Sequence, residues 1–191
     1  PVDIIDRDGD VDMPVRGGYH LKYARTGAHL KNYDTLIAVH RFKAHYLPRF
    51  GGNMKNISLC LGSLSGKAII HSAGTNENSY ERKDDDITSQ SFADAAKAAM
   101  DYKRGRWAFI NVMDKFEPSD SCKDTKNLGD IGIIASLDPV AVDQASCDFE
   151  FGAAPSEEIR NAWEKTHSVD LLEYAEKIGV GSRHYQLVSV D

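Results

Sequence analysis

Between His40 and His71 the chain reads HRFKAHYLPRFGGNMKNISLCLGSLSGKAIIH, and three lysines, three histidines and three serines fall within it. A core element would be apolar and periodic, and this stretch is neither. Glycines let backbone approach a ligand closely, ammonium groups neutralise an anion, and imidazoles and hydroxyls donate or accept protons. Lys43, His45, Lys55, Asn56, Ser63, Lys67 and His71, with Gly51, Gly52, Gly62 and Gly66, therefore form a candidate anion cradle. Backbone N–H groups at a glycine turn and a helix start would complete it. His45 and His71 are the acid–base candidates, since an imidazole titrates near neutrality. A solvated basic loop is the competing reading. No Walker loop is present, because Gly62 to Lys67 continues with Ala68 where a Ser or Thr is required.

Two weaker constellations follow in the chain. Asp120, Cys122, Asp124 and Asp130 lie between two apolar runs. Sulfur and carboxylate oxygens close together suit a transition metal, with His45 or His71 completing the shell; an acidic surface loop is the plain alternative. Asp138, Asp143, Ser146 and Cys147 come next. Asp138 precedes Pro139, the signature of a helix N-cap, so a capping role competes with ligand binding there. Asp143 and Cys147 share a helix face; Asp143 is a candidate general base, and Cys147 reads as a buried small hydrophobe. Asp6, Asp8, Asp10 and Asp12 alternate, but a calcium loop fails: Gly17 holds the place of the bidentate glutamate. No HExxH, nucleophile elbow or Ser-His-Asp pattern occurs, so enzymatic activity does not follow from motifs.

The composition bounds these readings. In 191 residues, 41% are hydrophobic and 27% charged, with net charge −6. One domain of this size buries a core of its own. The acidic balance argues against nucleic acid as partner, and no apolar run is long enough to span a membrane. Yet His40 to Lys67 carries five Lys/Arg and no Asp or Glu. A local cationic pocket in an acidic protein fits a small anionic ligand. Three cysteines without a CxxC predict no zinc ribbon and no iron–sulfur cluster, and a reducing, cytoplasmic compartment. The chain begins at Pro1, which predicts a fragment or processed form of a longer protein.

The elements that would position these residues alternate in type. Tyr33–Val39, Trp107–Val112 and Ile131–Ala135 read as buried strands, and Tyr185–Val190 as a last strand at an edge. A helix is expected near Asn53–Leu61, interrupted by Gly62 and Gly66. Another is capped by Ser89 or Ser91, one begins at Asp138-Pro139, one at Pro155-Ser156, and one is capped by Ser168 and closed by Gly179. Residues 76–90 read as an exposed linker. The expected fold is a single α/β domain with a mixed, mostly parallel sheet and helices on both faces.

The strings KAHYLPRFGGNMKN, GSLSGKAIIHS and LGDIGIIASLDPVAVDQASCD, with the ending LLEYAEKIGVGSRHYQL, resemble domain-of-unknown-function family 362, whose members go by the description uncharacterized Fe–S center protein. In many relatives a ferredoxin-type module follows the string matching Gly66–Ser72. Residues 76–90 take its place here and contain no cysteine, so no iron–sulfur cluster is expected in this chain. Relatives also tend to carry Cys-Asp-Cys near Asp120-Ser121-Cys122, of which only Cys122 is kept. Lys43, His45, Lys55, Asn56, Lys67, His71, Asp138 and Asp143 match the family's pattern. The resemblance implies an uncharacterised, redox-associated ligand-binding domain. Two alternatives stand beside it. One is an enzyme that depends on a divalent metal and uses His45, His71, Asp120 and Cys122. The other is a scaffold that docks a redox protein through its cationic patch.

Overall fold

The computed structural model describes residues 2–45, 49–114, 129–152, 157 and 170–190. Parallel strands β3 (Leu36–Arg41) and β6 (Trp107–Met113) pair from Leu36 against Trp107 to Arg41 against Val112. On the other side of β6, β7 (Gly132–Ser136) runs antiparallel, with Asn111 opposite Ile134. The three make a mixed sheet in the order β3-β6-β7. Two smaller antiparallel pairs flank it: β1 (Asp10–Pro14) with β2 (Tyr23–Gly27), and β4 (Lys43–His45) with β5 (Arg49–Gly51).

The described α-helices are α1 (Asn53–Leu59), α2 (Leu64–His71), α3 (Asp85–Tyr102), α4 (Pro139–Gly152) and α5 (Asp170–Lys177). The fold is mixed α/β, as its sequence pattern predicts. In β6, burial alternates along the strand: Trp107, Phe109, Asn111 and Met113 are buried and the residues between them are half-buried. That period of two follows from the pleat. The buried parity faces α1 and α4: Asn111 accepts from Asn53 on α1 and donates to Asp143 on α4. Among the described residues, α1 and α4 cover that face. The opposite parity carries Ile37, Val39 and Ile133, which are 65%, 59% and 70% exposed.

Helix α3 starts earlier than Ser89. Asp84 caps it by accepting from the Asp86 N–H at 3.0 Å, and Asp85 and Asp86 fill its first turn, where carboxylates oppose the positive end of the helix dipole. Residues 85–90 therefore belong to a helix, not a linker, with Thr88 and Ser89 buried. Phe92, Ala95, Ala96 and Ala99 then place an apolar stripe against α1 and α5, whose Leu171, Leu172 and Ala175 are buried in return. The stretch Tyr185–Val190 contains no strand, and Leu187 and Val188 are exposed. The helix starts expected at Pro155 and Ser168 lie outside the described residues. No described helix is long and apolar enough to cross a membrane.

Candidate functional site

The segment His40–His71 is more ordered than its composition suggests. After β3 the chain makes the β4–β5 pair, turns at Gly51-Gly52, and enters α1 and then α2. Two of its glycines are required by close approach. A Cβ on Gly52 would lie 2.5 Å from the Asp143 carboxylate, and one on Gly66 would collide with the Arg25 carbonyl oxygen. Gly66 thus does not interrupt α2 but lets it lie against β2. Ser63 is the N-cap: its Oγ accepts from the Gly66 N–H at 3.2 Å and donates to Asp10 at 3.0 Å. That accounts for Ser63 as a structural residue.

Asp143 is fully buried, and its oxygens are occupied. Oδ1 accepts from the Asn53 N–H and from Asn111 Nδ2, and Oδ2 accepts from the Met54 N–H, each at 2.8 Å. This carboxylate therefore sits on the first turn of α1, where an external anion was expected to bind. Asn111 extends the network, accepting from Asn53 Nδ2 at 2.8 Å and donating to Ser146 Oγ at 2.9 Å. Burial raises the Asp143 carboxyl to about 6, against the lowering by its three donors. Asp143 thereby ties α1 to α4 and to Asn111 on β6. Asp138 also bonds to backbone. Oδ1 accepts from the Val140 and Ala141 N–H groups, and Oδ2 from Ser182, tying the C-terminal segment to the start of α4.

Two of the cationic side chains, Lys43 and Lys55, lie near His40. Lys55 Nζ on α1 lies 2.7 Å from His45 Nε2 on β4. Lys43 is exposed on the same short strand, and its Cγ lies 3.5 Å from where a Gly51 Cβ would stand. His40, at the end of β3, is pushed down to about 4 by burial, with Lys55 and Lys43 adding to the effect. His71, the last residue of α2, is lowered by burial first and then by Lys55 and Arg82. Both imidazoles are thus neutral at pH 7. His71 Nδ1 donates to the Lys67 carbonyl at 2.7 Å, which places its lone pair on Nε2, and its ring meets Tyr80 and Phe92 edge-on. Lys67 and Asn56 are half-buried on their helices.

Two buried polar atoms beside the Gly51-Gly52 turn, His40 Nε2 and Asn53 Oδ1, have no hydrogen-bond partner among the described residues. Unpaired buried groups cost free energy and mark places where a partner is missing. Neither residue stood out in the sequence as a site residue. The signal was a polar residue at an inward position of a strand or helix start: His40 and Asn111 share one register line of the β3–β6 pair. Asp120 and Cys122 lie outside the described residues, and no three His, Cys, Asp or Glu side chains gather as metal ligands among those described.

Set against known families, residues 1–148 match the family model described as Domain of unknown function (DUF362). No curated protein and no solved structure matches the chain.

Proposed function

The chain belongs to the domain-of-unknown-function family 362, and on that premise we propose that it binds a small anionic ligand between the β4–β5 pair and α1, at Lys43, His45 and Lys55, with His40 and His71 alongside. The observation that supports this is the position of Lys55: its Nζ lies 2.7 Å from His45 Nε2, and its charge adds to the lowering of His40 and His71 that burial begins. Clusters of perturbed titrating groups concentrate at functional sites. An anion beside Lys55 favours the protonated imidazoles that Lys55 disfavours. Phosphate and carboxylate both carry the charge and the acceptors that Lys55 and Lys43 can serve. The α1 N-terminus is not part of the site, because the Asp143 carboxylate already occupies it. Binding therefore rests on side-chain cations, which predicts strong weakening with salt.

The test is a melting series with inorganic phosphate and a panel of phosphorylated and carboxylated metabolites. A ligand at 100 times its Kd adds about 2.7 kcal/mol to stability. In a domain of this size that raises Tm by roughly 5–10 °C. The Lys55→Met variant is expected to lose that shift while keeping its ligand-free Tm. Flat curves for the whole panel would remove the proposal and favour a docking role for the patch.

A further inference from the structure

One imidazole away from the anion site holds the segment before β1 at two points. His29 stands in the short 3₁₀ helix Ala28–Asn32 that follows β2. Its Nδ1 lies 2.9 Å from Asp3 Oδ1, and its Nε2 lies 2.6 Å from Asp8 Oδ2. Backbone contacts bring the segment there. The His29 N–H donates to the Ile5 carbonyl at 2.9 Å and the Ala28 N–H to the Gly9 carbonyl at 2.8 Å. The Ile5 carbonyl crosses so close to Gly27 that a Cβ there would collide with it.

Both partners of the ring are acceptors. A neutral imidazole has one N–H and one lone pair, so it serves one carboxylate; serving two requires the imidazolium. The carboxylates favour that form in return. The bond to Asp3 and then the bond to Asp8 raise His29 above its ordinary value of 6.5. Among the described residues these two are the charged groups that act on the ring. Tyr33, just past the same 3₁₀ helix, reaches it through Asp3, to whose Oδ2 the phenol donates at 2.7 Å.

The two carboxylates are not equivalent. Asp3 takes the Nδ1 proton between both oxygens, at 2.9 and 3.1 Å, and its side chain is 34% exposed. Asp8 meets the ring with one oxygen and is 69% exposed. Loss of a proton therefore leaves Nδ1–H on Asp3 and turns the Nε2 lone pair toward Asp8, which is repelled into water.

We propose that His29 is a proton-dependent latch: as an imidazolium it holds Asp3 and Asp8 together, and as a neutral ring it keeps Asp3 and releases the turn at Asp8. The latch is closed at and below its ordinary range and opens as the pH rises through the higher value of the folded state. It adjoins the proposed site through α2. Asp10, two residues past Asp8, accepts from Ser63 and Ser65 at the start of that helix, at 3.0 and 3.1 Å.

A pH titration of the imidazole nitrogens by NMR, on the whole chain, tests this. His29 is expected to titrate above 6.5, to carry protons on both nitrogens below its midpoint, and to keep the one on Nδ1 above it. Asp8→Asn, an exposed substitution, is expected to bring the midpoint down. Hydrogen-exchange protection of Gly9 and Ala28, measured relative to Phe109 in the sheet, should fall at least about threefold as His29 loses its proton, and Asp8→Asn should remove that pH dependence. A midpoint at or below 6.5 overturns the proposal, as does a neutral ring protonated on Nε2. So does a midpoint indifferent to Asp8→Asn, or a protection ratio that does not follow the His29 titration.

Discussion

Two carboxyl groups on α4 and one imidazole on β3 set the residue-scale behaviour of this protein. Burial raises Asp143 from 3.8 to about 6 and Glu150 from 4.5 to about 8. The folded state binds both protons more tightly than the unfolded chain does. Their contribution to stability is therefore complete below about pH 4, and is lost as the pH rises through about 6 for Asp143 and about 8 for Glu150. His40 has the opposite sign: its folded value of about 4 lies below 6.5, so it lowers stability as the pH falls between those values. Urea unfolding at pH 6 and pH 9 is expected to show a weaker protein at the higher pH, and Glu150→Gln is expected to lose much of that difference. Equal losses for the two proteins would show that Glu150 does not carry it. Asp143→Ala is a sharper case. It leaves the Asn53 and Met54 N–H groups without their side-chain acceptor inside the core and takes one of the acceptors of Asn111 Nδ2. A loss of about 3 kcal/mol is expected, in the range found when one member of a buried charged network is removed. A loss below about 1 kcal/mol would mean that α1 does not depend on this carboxylate.

At the scale of elements, glycine positions discriminate between accommodation and necessity. Gly66→Ala forces a Cβ onto the Arg25 carbonyl of β2, whereas at Gly62 the nearest atoms stand at 3.4 Å or more. Gly66→Ala is expected to cost about 2 kcal/mol or more and Gly62→Ala less than about 1, read as midpoints of denaturant unfolding with equal slopes. Equal costs would show that α2 can slide away from β2. The same elements show what was legible beforehand. The three sheet strands were readable because a run such as WAFINV has no helical alternative at that length, and the observed β6, Trp107–Met113, differs from it by one residue. The start of α4 was readable from Asp138-Pro139, because capping chemistry is local. Helix α2 was not, because Gly66 weakens a helix in isolation and its reason, the Arg25 carbonyl, lies some forty residues earlier in the chain. The start of α3 was missed because Asp84-Asp85-Asp86 resembles a solvated acidic run until one of them is seen to cap. Of the site, Lys55 and His45 were legible as residue types near one another in sequence. The hydrogen bonds of Asp138 and Asp143 were not, since most of their partners are backbone groups whose positions only the fold determines.

For the whole molecule, the balance of charge is the organising fact. A chain of net charge −6 sets Lys55 against His45 and, with Lys43, near enough to His40 to lower it further. Ion pairs such as Arg25–Asp12 and Arg25–Glu77 join distant segments elsewhere on its surface. Such exposed pairs contribute little individually, so global stability should be nearly independent of salt while ligand binding is not. Raising sodium chloride from about 0.05 to about 0.5 M should therefore weaken anion binding severalfold and move the ligand-free Tm by only a few degrees. The most direct test of the anion site is a pH titration of the His40 and His71 imidazole resonances by NMR, with and without saturating inorganic phosphate. Bound anion in that site raises both pKa values, and Lys55→Met abolishes the phosphate effect. Imidazole titrations that phosphate leaves unmoved, in a protein whose other resonances show phosphate binding, would put the anion elsewhere and contradict the assignment.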